Sequence, residues 1–298
     1  MPSPESIRLL DMLRSQTRPS SAPSWEQSRK SMESFARPAD ADVLCTAVDA
    51  GGVPAEWVVG PGSEGGPVLL YLHGGGYTAG SIVTHRQLAG WLSKASGARV
   101  LVLDYRLAPE HPHPAAVEDA VAAYQWLLAR GTSAARIVIG GDSAGGGLTA
   151  ATLLALRDRG IALPAAGLLL SPWTDLTGSG DSMTSRASID PMVGGSGLVN
   201  MSRAYVPQGD LKAPLASPLF ADLKGLPPLL IHVGTHETLF DDSTRFDAAA
   251  RSVDVDVTFE AWNGQVHVFH MFAWLVPEAK EAIAKIGAFV KERTATPS

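Results

Sequence analysis

Two glycine-rich segments of this 298-residue chain carry residue types suited to nucleophilic chemistry. Gly141-Asp142-Ser143-Ala144-Gly145 sets a serine in a Gly-x-Ser-x-Gly frame. Small neighbours let the backbone turn sharply from strand to helix at such a serine, projecting its hydroxyl beside the helix N-terminus. Upstream lies His73-Gly74-Gly75-Gly76-Tyr77. Bare backbone there can approach a substrate and aim N–H groups at a carbonyl oxygen as it gains charge. The N–H of the residue after the serine, Ala144, serves the same oxygen in turns of this kind. Clustered glycines can also cradle phosphate, but no Lys-Ser/Thr follows here and no Gly-x-Gly-x-x-Gly opens a helix. Asp142 reads as a turn or supporting residue, its side chain pointing away from that of Ser143.

A serine nucleophile needs a base, and the base needs a carboxylate to orient it. Where the serine sits on a strand-to-helix elbow of this kind, its partners follow in chain order acid, then histidine. Of the eight histidines, four follow Ser143: His232, His236, His267 and His270. His232 falls inside an apolar run and reads as a core residue; His236 adjoins the acid candidates and is poorly placed to be oriented by them. His267 and His270 both follow the last predicted strand and a turn at Asn263-Gly264, and spacing alone leaves both open. The pair lacks nearby carboxylates or thiols to complete a metal site. For the acid, the loop after Leu229–Val233 offers Glu237, Asp241 and Asp242. The position just past a strand's C-terminal end favours Glu237. Asp241 and Asp242 suit the first turn of the next helix, where carboxylates complement the dipole.

The elements that must hold these residues are legible as an alternation. Val68–Leu72, Arg99–Leu103, Arg136–Ile139, Ala166–Leu170 and Leu229–Val233 read as strands buried on both faces. Helical spacing recurs between them, as at Val117, Ala120, Val121, Tyr124 and Leu128. This predicts an α/β fold, a mostly parallel central sheet flanked by helices. Val253–Ala261 alternates apolar and polar residues, which suits a half-wet strand at the sheet edge: protected by its charges, or a pairing edge for a homodimer. Two regions break the alternation. Residues 1–45 carry a stripe of Ile7, Leu10 and Leu13 and then a polar, Pro- and Ser-rich stretch. Residues 174–226 are rich in Gly, Ser, Pro and Met, as an insertion folding over a pocket would be.

Composition narrows the function classes. A net charge of −6 argues against nucleic acid, which calls for clustered Lys and Arg. No apolar run approaches the roughly 20 residues needed to span a bilayer. The N-terminus lacks the pattern of a secretory signal. The lone cysteine, Cys45, reads as a packing residue, and cytoplasm is the default location.

Taken together, the chain resembles the hormone-sensitive-lipase-like (family IV) bacterial carboxylesterases of the α/β-hydrolase superfamily. The resemblance runs from about residue 66 to 290. It rests on His73-Gly-Gly-Gly-Tyr77, Asp104-Tyr-Arg-Leu-Ala-Pro-Glu-His111, Gly141-Asp-Ser-Ala-Gly-Gly146, Ser171-Pro-Trp173, Asp190-Pro-Met192 and the His267 segment. It implies a catalytic domain over 46–298 and a small helical cap built from residues 1–45 and the insertion at 174–226. It also implies a catalytic set of Ser143, Glu237 and His267, selecting His267 over His270. The commonest family pattern has Asp where this chain has Glu237. Oxyanion donors are implied on Gly74 and Gly75 together with Ala144. The expected reaction is hydrolysis of short-to-medium acyl esters through an acyl-enzyme, with no cofactor. Rival readings are a lactonase, amidase or transacylase with the same residues, or a small-molecule receptor on the same scaffold, which the retained histidine disfavours.

Overall fold

In the computed structural model, which describes residues 1–15 and 23–295, the apolar runs pair into one eight-stranded sheet. Its strands are β1 (Leu44–Asp49), β2 (Pro54–Val59), β3 (Val68–Leu72), β4 (Arg99–Leu103), β5 (Ile137–Asp142), β6 (Ala166–Leu170), β7 (Leu229–His236) and β8 (Val257–Val266). The spatial order is β1-β2-β4-β3-β5-β6-β7-β8. Pairing is antiparallel at β1–β2 and β2–β4 and parallel from β4 to β8. Because side chains alternate along a strand, β3 sends Leu70 and Leu72 to one core and Leu69 and Tyr71 to the other. Helices α4 (Ala115–Ala129), α5 (Ala144–Asp158) and α8 (Phe240–Arg251) cover the first face; α3 (Ile82–Ser96) and α9 (Pro277–Arg293) cover the second. With both faces buried, the central strands have no wet side and read as unbroken apolar runs.

Four readings of the sequence need correction. β8 is the outer strand on its side, but Val253–Asp256 lie before it and it continues past Asn263-Gly264 to Val266. The Asn-Gly pair makes no turn; it sits in an irregularity where Gly234 pairs with Trp262 and His236 with Val266. The extra residues are absorbed as a bulge, with Gly264 at φ 72°. On the N-terminal helix α1 (Pro4–Arg14), the deeply buried side chain is Leu9, whereas Ile7 is 51% exposed. The helix is held by polar contacts as well, Ser6 donating to Glu278 and accepting from Gln265. Cys45 is exposed on β1 and packs into no core.

A second N-terminal helix, α2 (Trp25–Ser34), precedes β1, and residues 174–226 contain α6 (Ser182–Ser185) and α7 (Gly195–Tyr205). Among the described residues no helix is long and apolar enough to cross a membrane.

Candidate active site

The C-terminal ends of four neighbouring parallel strands, β5 to β8, deliver Ser143, Ser171, Glu237 and His267 in turn. This is the edge at which open α/β sheets bind ligands. Ser143 stands between the last residue of β5 and the first of α5 with φ 53° and ψ −121°. Non-glycine residues at positive φ are strained. Of the five in the described chain, Tyr77, Ser143, Ser171 and Val268 belong to this site and only Asp254 does not. The turn at Ser143 is possible because a Cβ at Gly145 would lie 1.9 Å from the Leu72 carbonyl oxygen, and one at Gly141 2.3 Å from it. The serine backbone is clamped by its N–H to Leu170 O (2.8 Å) and by Trp173 N–H to its own carbonyl (2.9 Å).

The loop after β3 supplies bare N–H groups, one residue later than the sequence suggests. Gly74 N–H is already committed, donating to Asp142 Oδ1 at 3.1 Å. Gly75 and Gly76 follow with φ 122° and 63°. Neither N–H donates to a protein acceptor among the described residues, and nor does that of Ala144 at the start of α5. Among the described residues the N–H groups of Gly75, Gly76 and Ala144 are therefore without a protein acceptor, whereas that of Gly74, expected among the donors, is taken by Asp142. Gly76 is also where the insertion touches the loop: a Cβ there would lie 2.2 Å from Met201 Sδ on α7.

Beneath the loop, Asp142 is buried and collects Tyr71 O–H (2.8 Å), Gly74 N–H and His85 Nε2 (3.2 Å). Burial raises its pKa, but His85 and the Tyr71 hydrogen bond outweigh it and hold the carboxyl below its usual value. His73 is stacked on Tyr105 at 4.3 Å; desolvation and the neighbouring His85 push its pKa down to about 3, so it stays neutral.

Glu237 is fully buried and follows β7 directly. Its Oε2 accepts from Ser171 O–H (2.8 Å) and Gly234 N–H (3.3 Å). Its Oε1 faces His267 Nδ1 at 3.6 Å, and neither atom has another partner. That separation exceeds a hydrogen bond, and such contacts often tighten only around substrate. Burial alone would depress the His267 pKa, yet Glu237, with Asp190 and Asp142 behind it, raises it above the usual histidine value. His270 points elsewhere, its Nε2 at 3.2 Å from His232 Nδ1, and burial pushes its pKa down to about 3. Of the two histidines that spacing leaves open, His267 is the one that the bulged end of β8 sets against Glu237.

Residues 69–271 match the family described as alpha/beta hydrolase fold. The chain belongs to the α/β-hydrolase fold family. It is 48% identical over 249 residues to an acetyl-hydrolase of Streptomyces hygroscopicus, covering 84% of this chain and 82% of that one. A crystal structure of EstE5 soaked with p-nitrophenyl butyrate superposes with a TM-score of 0.96 at 48% identity over 99% of this chain and 100% of the other. An esterase from the bacterial hormone-sensitive lipase family superposes at 0.94, 46% identical over 99% and 100% of the two chains. The hydrolase groups with these hormone-sensitive-lipase-like proteins.

Two supporting residues of the hydrolase escape a reading of spacing. Ser171 donates to Glu237 and accepts from Val268 N–H (3.1 Å), so one hydroxyl fixes both the acid and the histidine loop. Asp190 accepts from Thr238 N–H (2.7 Å) and from Met192 and Val193 N–H, tying the insertion to the residue after Glu237. Their only advance signal was membership of Ser171-Pro-Trp173 and Asp190-Pro-Met192. Asp241 and Asp242 do begin α8, and both also receive N–H groups from the insertion, at Ser182 and at Thr174 and Asp175.

Proposed function

We propose that this hydrolase is a serine carboxylesterase acting on short-to-medium acyl esters through an acyl-enzyme. The observation that carries the reading is the pairing of Glu237 Oε1 with His267 Nδ1, each without another partner, on the strand ends beside the strained Ser143. His267 takes the Ser143 proton as its oxygen attacks the ester carbonyl, and Glu237 orients the imidazole and stabilises its charged form. Gly75, Gly76 and Ala144 N–H groups receive the oxyanion. His267 then gives the proton to the departing alcohol, and water repeats the cycle to release the acid. These steps draw on side chains, backbone and water alone.

The size preference is supported by the acetyl-hydrolase relative and the p-nitrophenyl butyrate soak of EstE5. Met201 pressed against Gly76 supports it too, because a side chain there narrows the space beside the oxyanion. In this reading α1, α2 and residues 174–226 form a cap over the strand ends. The free outer edge of β8 offers a homodimer contact, and the unpaired Cys45 fits a reducing cytoplasm.

Hydrolysis of p-nitrophenyl acetate and butyrate is the test. Ser143→Ala should lose on the order of 10⁴–10⁶-fold in kcat and should resist covalent labelling by phenylmethylsulfonyl fluoride. Retained turnover in that variant overturns the mechanism. Equal turnover of emulsified long-chain lipid overturns the size preference, and faster cleavage of lactones or amides than of esters overturns the substrate class.

A further inference from the structure

On the α4 face of the sheet, at its antiparallel edge, lies a cavity of about 350 Å³ made by none of the catalytic residues. Its walls are two tryptophans and two arginines. Trp57 of β2 and Trp126 near the end of α4 stand 6.4 Å apart with their rings inclined at 37°. The Arg99 guanidinium lies 4.9 Å from the Trp57 ring and that of Arg130 lies 5.0 Å from the Trp126 ring. Among the described residues neither guanidinium has a carboxylate within ion-pair distance, and Arg99 Nε is buried with no hydrogen-bond partner at all. The contrast with Arg86 is direct: from the other face of β2, Glu56 meets its guanidinium at 2.6 Å. Asp49, the one carboxylate in the cavity wall, accepts from Gly52 N–H in its own hairpin (2.6 Å).

We propose that this cavity is a second binding site, selective for a small aromatic carboxylate. A buried guanidinium N–H without an acceptor is costly, and its geometry matches the two oxygens of a carboxylate. The two inclined indoles, with Val48 and Leu127, give the wall apolar contact for a ring beside the guanidinium groups, and the volume suits one ring with its carboxylate at the lower end of ligand-pocket sizes. Burial, and then the neighbouring Arg136, disfavour the charged form of Arg99, a penalty that a bound anion relieves. The site is remote from the chemistry. Through β3, Arg99 is in register with Ile137, six residues before Ser143 on β5, which sets the two roughly 20 Å apart. The cavity therefore holds its ligand whether or not the esterase reading is right.

Titration calorimetry with benzoate, against benzamide and acetate, tests this on the full chain. Benzoate should bind with 1:1 stoichiometry and the other two far more weakly, since one lacks the charge and the other the ring. Arg99→Met should weaken benzoate binding by about tenfold or more while hydrolysing p-nitrophenyl acetate at the wild-type rate. Should Arg99→Met fold poorly, the surface change Arg130→Met carries the same expectation. Equal affinity for benzamide, or benzoate binding unchanged in the folded arginine variant, overturns the proposal. So does competition of benzoate with ester substrate that survives Arg99→Met, which would place the ligand at the catalytic centre.

Discussion

At the scale of single residues, the site is a set of groups whose environments pull in opposite directions. In the proposed mechanism His267 must be neutral to accept the serine proton, and its pKa lies above the ordinary histidine value because Glu237, Asp190 and Asp142 outweigh burial. The acid limb of kcat/KM should therefore fall above pH 6.5, with activity lost as pH drops through it. Glu237→Gln removes the largest of the raising influences. It should shift that limb to lower pH while also cutting turnover, because the imidazole loses the charge that stabilises its protonated form; a pH–rate profile of the two proteins reads both. An unmoved limb would mean that Glu237 does not face the base. Ser171→Ala makes a finer test. It strips one hydrogen bond from Glu237 and one from Val268 N–H at once. Turnover of p-nitrophenyl butyrate should fall by about tenfold with KM little changed, since Ser171 meets only the acid and the histidine loop.

At the scale of elements, the parts buried on both faces were open to reading from sequence and the parts at the margins were not. The runs Val68–Leu72, Arg99–Leu103 and Ala166–Leu170 are strands with those same limits, because a strand without a wet side is a continuous apolar segment bounded by polar residues. β1 carries no such signal, since nearly all of it is exposed and its sequence has no alternation. Asn263-Gly264, a strong hairpin signal locally, is overridden by pairing with β7 and becomes a bulge. That bulge matters because it sets where His267 emerges. The glycines of the elbow were readable from chemistry; the commitment of Gly74 to Asp142 was not, as it depends on a contact across 68 residues. Steric closeness makes a prediction here. Gly145→Ala places a methyl 1.9 Å from the Leu72 carbonyl, a backbone atom that cannot yield without moving β3. Stability should drop by about 1–3 kcal/mol or more and esterase activity should fall with it. Gly225→Ala is the control, open apart from the flexible Arg157 side chain yet held at φ 79°; it should cost only the backbone strain of its own turn.

At the scale of the whole molecule, the insertion and the sheet are joined through buried carboxylates, and one of them makes stability depend on pH. Asp242 is buried in the first turn of α8, where its Oδ1 accepts Thr174 and Asp175 N–H (both 2.8 Å) and its Oδ2 has no partner. Desolvation, reinforced by the Asp175 charge, pushes its pKa up to about 8 against the hydrogen bonds that favour ionisation. The folded chain thus holds a proton that the unfolded chain, titrating near 3.8, releases far earlier. With more protons bound in the native state, stability falls as pH rises. The contribution is whole below pH 3.8, declines through neutrality and is gone above about 8. Asp242→Asn keeps an oxygen for the two N–H groups and cannot ionise. Its thermal midpoint, followed from pH 5 to 9, should be flatter than that of the parent chain and higher at the alkaline end. Parallel curves for the two proteins would show that Asp242 is already charged in the folded state and that the tie between insertion and sheet tolerates a buried anion.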